Sequence, residues 1–356
     1  MDSRTASQVS RRGLIAAGGA TALGALLTAC GGGSRGGAAA AGASAGASPG
    51  ASASAVKGPW SFTDDQPKHL TAPAAPARVV AFTGTAAALV DFGLDRQIVG
   101  VFGETRAADG KADPQAGDLD VDRVAIIGNA YGEFDIEKYA ALRPDLLVTH
   151  MYDPGALWYV PDESKSKILQ VNPTVAAITV GRVPITRPIE RYAELAASLG
   201  ADLKARKVTD AKARFEAAAE SLRRAAKAAG GVRVLAGSGS PDLFYVSNPR
   251  VSTDLMYFAQ LGVDIVVPDK PDPGGYFESL SWENADKYPA DLILLDDRGT
   301  SLQPEDLAGK PAWGRLPAVK ARQITPWSAV PRFSYAGAAP LLERLTKAVE
   351  STKKVS

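Results

Sequence analysis

Asp135-Ile136-Glu137 is followed, eight residues past its glutamate, by the aspartate of Pro144-Asp145-Leu146-Leu147. Far downstream, Ser281-Trp282-Glu283 is followed at the same spacing by the aspartate of Ala290-Asp291-Leu292-Ile293. A pattern stated twice marks two copies of one structural unit. Asp135 and Ser281 are N-cap residues by type, which puts each glutamate at the second helical position, where the helix dipole favours a carboxylate and the side chain points outward. Each half is therefore expected to present one glutamate at an equivalent place. A glutamate near a helix start also has a purely local explanation, but the matched positions raise Glu137 and Glu283 above it.

Outward from the first copy, short β-branched runs alternate with helical periods, the pattern of a doubly wound α/β fold. Strands are expected at 79–82, 98–102, 145–150 and 175–179, with helices at 86–92 and 136–142. Their continuous apolar character suits strands covered on both faces. Around the second copy, strands are expected at 232–236, 265–267, 291–295 and 323–325, with helices at 253–261 and 340–349. Between the two sets runs a helical stretch, 189–229, interrupted near Gly200-Ala201-Asp202. Its second half, 203–228, would reach about 40 Å at 1.5 Å per residue, a length suited to bridging two lobes. The other reading is a surface helix of one larger domain; the similar patterns on either side favour the bridge.

The first thirty residues read as a targeting segment. A charged stretch ending in Arg11-Arg12 leads into an uncharged run, 13–29, too rich in Gly and Ala and too short for a stable span, which meets Leu27-Thr28-Ala29-Cys30. This resembles a bacterial lipoprotein signal with a twin-arginine flavour, in which the Cys30 thiol takes a diacylglycerol before cleavage. Residues 31–56 are almost all Gly, Ala, Ser and Pro and read as a flexible tether, with the folded part starting near Trp60. The expected order is signal 1–30, tether 31–58, first lobe 59–200, interlobe helix 201–230 and second lobe 231–356. Cys30 is the single cysteine of 356 residues, which excludes a disulfide scaffold and a Cys-ligated metal centre. The whole chain carries a net +1, and the segment before Cys30, three basic residues and one acidic, carries +2, so about −1 remains without it. Nothing in that balance points to nucleic acid or to an electrostatic grip on a membrane.

Ligands of open α/β sheets sit at the carboxyl ends of strands, so the loops there are the place to look. The first half offers Arg106, Tyr131, His150, Tyr152, Trp158 and Tyr159, and the second Tyr245, Tyr276, Phe277, Arg298, Trp327 and Arg332. Tyr131, Tyr152 and Phe277 lead, because each flanks a strand end in a loop containing Gly or Pro. Trp158-Tyr159 reads equally as a packed hairpin tip, and about half of any such list would be core fillers. Trp282 reads as a brace for the turn carrying Glu283, and Trp313 as an anchor for Leu316-Pro317. Arg182 and Arg187 read as solvated charges. Only His69 and His150 exist, and His69 falls in an expected loop, so no bare-metal site is expected. His150 is expected to contact ligand or loop backbone. No catalytic residues are expected either: after Gly237-Ser238-Gly239, Asp242 stands where a dinucleotide fingerprint needs its third glycine, and the serine does not fit a Gly-x-Ser-x-Gly elbow. Asp296-Asp297 reads as a solvated acidic pair.

The phrases Arg78-Val79-Val80, Ala87-Ala88-Leu89, Phe92-Gly93-Leu94, the run 128–137 and Leu142-Arg143-Pro144-Asp145 stand in the first half. Leu261-Gly262, the run 281–283, and Trp313 with Leu316-Pro317-Ala318-Val319-Lys320 stand in the second. In order and spacing, over roughly 78–348, the chain resembles the binding proteins that serve ABC importers of iron-siderophores, haem and cobalamin. The resemblance implies an α/β fold of two Rossmann-like lobes joined by a single long α-helix, with the ligand cleft between the lobes, no enzyme activity and no cofactor. It also implies that Glu137 and Glu283 dock onto arginines of the two permease subunits. The implied protein is a monomer held to the outer face of the cytoplasmic membrane by lipid on Cys30. A ferric siderophore is a bulky, partly apolar shell whose iron-binding oxygens carry partial negative charge, which aromatic faces and guanidinium groups complement. Hydroxamates are favoured, since scattered arginines do not make the dense basic pocket that a highly anionic catecholate complex calls for. The alternatives are cobalamin or haem on the same scaffold, or a lipid-anchored cell-envelope enzyme. A helical bridge further implies small lobe closure.

Overall fold

Val79-Val80-Ala81-Phe82 is buried at all four positions and forms the centre of a sheet. In the computed structural model, which describes residues 58–356, an antiparallel hairpin comes first, β1 (Trp60–Thr63) with β2 (His69–Ala72), so His69 lies in a strand and not in the loop expected for it. Cys30, the signal segment and nearly all of the tether lie outside the described residues. The first sheet is built from β3 (Val79–Phe82), α1 (Thr83–Asp91), β4 (Ile98–Phe102), β5 (Ala125–Gly128), α2 (Ile136–Ala141), β6 (Leu146–Met151), α3 (Asp162–Val171) and β7 (Val175–Thr179). Its five strands are all parallel, in the order β5-β4-β3-β6-β7. The order reverses at β3, so the loops after β3 and β6 diverge and leave a crevice at the strand ends.

Two helices, α4 (Thr186–Ser198) and α5 (Arg206–Ala228), carry the chain onward. Gly200, at φ +101°, gives α4 its left-handed exit and places the break where the sequence suggested it. The 23 residues of α5 extend about 34 Å. Val208, Phe215, Ala218, Ala219, Leu222 and Ala225 line its buried side.

The second sheet follows: β8 (Arg233–Gly239), β9 (Leu243–Ser247), α6 (Thr253–Gln260), β10 (Asp264–Ile265), β11 (Phe277–Ser281), β12 (Leu292–Asp296), α7 (Pro304–Leu307), α8 (Pro311–Arg315), α9 (Pro317–Lys320), β13 (Ile324–Trp327) and α10 (Tyr335–Ser351). Its order is β11-β9-β8-β12-β13, with β10 beside the start of β8. Here the expectation of a second Rossmann-like sheet needs amending, because β9 and β11 run antiparallel. Only three residues, 240–242, join β8 to β9; a link that short permits a hairpin and no crossover. The last helix begins five residues before the expected Pro340, because the Ser334 hydroxyl caps it by accepting from the Gly337 amide at 2.9 Å.

One apolar core runs from the first sheet through α1, α4, α5 and α10 into the second sheet, which ties the two lobes through packed helices. Phe215 of α5 lies 5.7 Å from the rings of both Tyr257 and Tyr335, and Arg214 forks onto Glu343 of α10 with two bonds of 2.7 Å. The repeated aspartates also prove equivalent. Asp145 donates its amide to the Arg78 carbonyl at 2.8 Å and accepts the Arg78 amide at 2.9 Å; Asp291 does the same with Arg233, at 2.8 and 2.9 Å. Each clamps the start of its lobe's central strand to the strand beside it.

Candidate functional site

The loop after β6 runs from Tyr152 to Pro161 and folds back on its own strand. The Trp158 amide donates to the His150 carbonyl at 2.9 Å, and the Thr149 hydroxyl to the Trp158 carbonyl at 2.8 Å. This return turns Tyr152, Trp158 and Tyr159 toward Tyr131, which comes from the loop after β5. The ring centroids of Tyr152 and Trp158 stand 4.7 Å apart, those of Tyr131 and Tyr159 5.1 Å, and those of Trp158 and Tyr159 5.3 Å. Tyr159 adopts φ +61° and Tyr131 is 74% exposed; a tyrosine in the left-handed region and another held in solvent both cost free energy and are common at sites of function. The four rings line a cavity of 280 Å³, near the lower end of the range for small-molecule sites. The Trp158-Tyr159 segment is therefore a packed loop tip and a pocket wall at once.

The Tyr159 hydroxyl donates to the Glu104 carboxylate, and burial, reinforced by that carboxylate, raises the phenol above its ordinary range. His150 departs from expectation. It is 1% exposed and packed among Phe82, Tyr152, Trp158 and Phe333, with neither ring nitrogen bonded. Burial pushes its pKa down to about 3, so it is a neutral ring behind the pocket wall, without the contact to loop backbone expected as one of its two uses.

From the second lobe, Arg298 faces this wall, close enough for its charge to act on Tyr152 and Tyr159. Burial works against its charge, but Asp296, fully buried, holds it through contacts of 2.7 to 3.1 Å and keeps it firmly protonated. Tyr276 lies 6.2 Å from the Tyr152 ring and carries the Arg182 guanidinium 5.3 Å over its face. Arg182 is the residue the sequence reading missed. It follows β7, adopts φ +60°, and bridges the lobes by donating to the Gly274 carbonyl at 2.7 Å and to Asp153 at 3.3 Å. Its place after a strand's carboxyl end was the available signal. Arg187 is exposed beside Glu190, as expected.

Other candidates are drawn away from the pocket. Arg106 donates to the Gly110 carbonyl at 2.8 Å and pairs with Asp122, which closes its own loop. Trp327 is 5% exposed and donates to Asp254 at 2.6 Å, a core contact beneath the second sheet. Burial lifts Asp254 to about 6 despite that bond. Arg332 reaches Asp91 at the end of α1, 3.1 Å away. It threads between Gly117 and Gly337, where any β-carbon would come within 2.7 Å of its side chain. Tyr245 and Phe277 are strand residues and not loop residues; their rings stand 5.1 Å apart across the β9-β11 pair. Trp282 and Trp313 are buried as expected, the former donating to the Ser240 carbonyl at 3.0 Å.

Glu137 and Glu283 are both exposed, and neither makes an ion pair among the described residues. The Asp135 carboxylate caps α2 by accepting the Lys138 amide at 2.9 Å. Ser281 does not cap in this way: the segment Trp282–Asn284 is a single 3-10 turn, and the serine hydroxyl instead accepts from the Asn284 side chain at 3.1 Å. The Glu283 amide and the Ser281 hydroxyl hold the Glu283 carboxyl below its ordinary value. No group of three or more His, Cys, Asp or Glu residues placed to hold a metal ion occurs among the described residues.

Two α/β lobes with an aromatic pocket at their seam define the class of two-lobed binding proteins that take up a ligand between their halves. The chain belongs to the periplasmic binding protein family, whose profile matches residues 79–330. Among solved structures it is similar to DesE, a ferric-siderophore receptor protein from Streptomyces coelicolor, with 52% identity over 83% of this chain and 100% of that one and a TM-score of 0.80. The fold is shared with FeuA of Bacillus subtilis, a triscatecholate siderophore-binding protein, at 18% identity, 82% and 96% coverage and a TM-score of 0.59. It is shared also with the FhuD protein of S. pseudintermedius at 19% identity, 82% and 98% coverage and a TM-score of 0.56. Among curated proteins nothing matches. These are binding proteins and not enzymes, and the family places the chain outside the cytoplasmic membrane. Among the described residues no helix is long and apolar enough to cross a membrane.

Proposed function

We propose that the chain captures a ferric siderophore between its lobes and delivers it to the permease of an ABC importer. The observation that carries this reading is the wall of four aromatic rings at the strand ends of one lobe, faced by Arg298 from the other. Rings suit the apolar shell of such a complex, and a guanidinium suits its oxygens. The likeness to a ferric-siderophore receptor along that protein's whole length supports the same ligand class. Hydroxamates are favoured on charge: Arg106, Arg182, Arg298 and Arg332 each face an aspartate, so a highly anionic complex would meet little surplus positive charge.

On this reading residues 59–200 and 231–356 act as lobes about the 201–230 helix. Glu137 and Glu283 meet the permease subunits, and a monomer is tethered by lipid on Cys30. Trp158 in the pocket makes the test direct. Titration with ferric trihydroxamate, ferric triscatecholate, cobalamin and haem should give saturable quenching of tryptophan fluorescence for the trihydroxamate, and Trp158→Phe should remove most of it. Quenching by cobalamin or haem alone, or by none of the four, would overturn the reading.

A further inference from the structure

Besides its rings, the 280 Å³ cavity is lined by three carboxylates, Asp153, Asp162 and Glu163, and by no basic residue. Asp153 faces Arg182 at 3.3 Å, while Asp162 and Glu163 make no ion pair among the described residues. The nearest cation along the chain, Lys165, does not line the cavity and donates to the Gly155 carbonyl at 2.9 Å. A box of electron-rich ring faces with carboxylates at its rim attracts a positive charge on both counts, through the ring quadrupoles and through direct Coulomb attraction. An anionic group there would meet repulsion from every charged lining residue.

The opposite side of the seam differs in character. Arg298, held by the Asp296 carboxylate at 2.7 Å, is the guanidinium of the second lobe, and neither residue lines the cavity. A ligand spanning both would carry its metal-binding oxygens toward Arg298 and a cationic end into the box. Asp162 and Glu163 stand in the first turn of α3, where a local reason for acidic residues exists. The rings opposite them, and the absence of a pairing cation among the described residues, give them a second use.

We propose that the cavity formed by Tyr131, Tyr152, Trp158 and Tyr159 with Asp162 and Glu163 is a cation subsite that takes an alkylammonium group of the ligand. It thereby selects positively charged ferric siderophores over neutral and anionic ones. This rests on the function proposed above for the same cleft.

The test compares three ferric trihydroxamate complexes with one linear backbone, ending in a free ammonium, in an N-acetyl group or in an N-succinyl carboxylate, by tryptophan fluorescence titration of the whole chain. Acetylation should weaken binding about tenfold and succinylation more, with the ammonium advantage shrinking as salt is raised. The double variant Asp162→Asn, Glu163→Gln changes only exposed or half-exposed side chains; it should retain affinity for the acetylated complex and lose most of the ammonium advantage. Equal affinity for all three complexes overturns the subsite and leaves the siderophore reading standing. If no iron complex binds, the siderophore reading fails, and pentylammonium chloride decides the subsite alone. Saturable quenching of Trp158 that the double variant abolishes supports it, and no quenching overturns it.

Discussion

In the five-stranded sheet of the first lobe every strand runs parallel, and a ten-residue loop, 152–161, folds aromatic rings over the strand ends. In the second, the three-residue link after β8 forces an antiparallel hairpin, and the corresponding strand end after β12 presents Arg298 clamped by Asp296. One lobe thus offers an aromatic surface and the other a fixed charge. Rings recognise shape at low entropic cost, since two χ angles set a large face. An arginine pre-aligned by a buried carboxylate contributes direction. The comparison teaches that a repeat legible in the helices and in the clamping aspartates need not extend to the chemistry at the cleft, which is set by loop length.

The largest loss of stability is expected where the two lobes are tied by a buried ion pair. Arg332 from the second reaches Asp91 of the first, whose carboxylate is 1% exposed and raised above its ordinary value by burial that Arg332 only partly offsets. Arg332→Ala leaves that carboxylate without its cation and should cost about 3–5 kcal/mol in urea unfolding. Arg106→Ala, which breaks a pair whose aspartate is mostly exposed, should cost less than about 1 kcal/mol. Equal costs would show that the Arg332 pair does not tie the lobes.

A smaller effect tests the twin clamps. Asp145 is exposed and accepts the amides of Ala77 and Arg78 at 3.0 and 2.9 Å. Asp291 is 1% exposed and accepts those of Arg233, Val355 and Ser356 at 2.7 to 2.9 Å, so it also fastens the end of the chain. Asp291→Ala should cost about 2–3 kcal/mol and Asp145→Ala about 1 kcal/mol. Burial raises the Asp291 carboxyl, but its amide bonds outweigh burial and hold it below the ordinary value. Its contribution is therefore complete above about pH 4 and fades as pH falls through the lower folded value. Unfolding measured from pH 7 to pH 3 should show the Asp291→Ala deficit narrowing at the acid end; a deficit constant with pH would assign it to packing.

The strands at Val79–Phe82, Ile98–Phe102 and Val175–Thr179, the break at Gly200 and the long α5 were legible in sequence because continuous apolar runs and a capping glycine act locally. The antiparallel β9-β11 pair was not, because Leu243–Ser247 and Phe277–Ser281 are short and half-buried, and their pairing partners lie 30 residues and more apart. Of the candidate site, Tyr131, Tyr152, Trp158, Tyr159, Tyr276 and Arg298 gather at the seam, as the rule of strand carboxyl ends suggests. Arg106, His150, Trp327 and Arg332 obey the same rule in sequence and yet turn elsewhere, Arg106 onto its own exposed loop and the other three inward. What separates them is the partner each finds, Asp122, a ring cluster, Asp254 and Asp91, and every one of those is set by tertiary packing that no local pattern carries.

The smallest effect on stability should accompany the largest on transport. Glu137 stands on the first turn of α2 and Glu283 on a 3-10 turn, both exposed and without an ion pair among the described residues, so the fold leans on their charge only through local contacts at those turns. Glu137→Arg and Glu283→Arg, singly and together, should lower the melting temperature only slightly and leave siderophore affinity unchanged. If the two carboxylates meet arginines of two permease subunits, each reversal places like charges together, and uptake by cells carrying the cognate importer should fall at least tenfold for either and vanish for both. The comparison of the lobes gains its finest test in the single variants: equal losses mean that the two contacts are equivalent despite the different turns that present them. A loss confined to Glu137→Arg would mean that the α-helical start, with its stronger dipole and its Asp135 cap, makes the first lobe the one that leads docking.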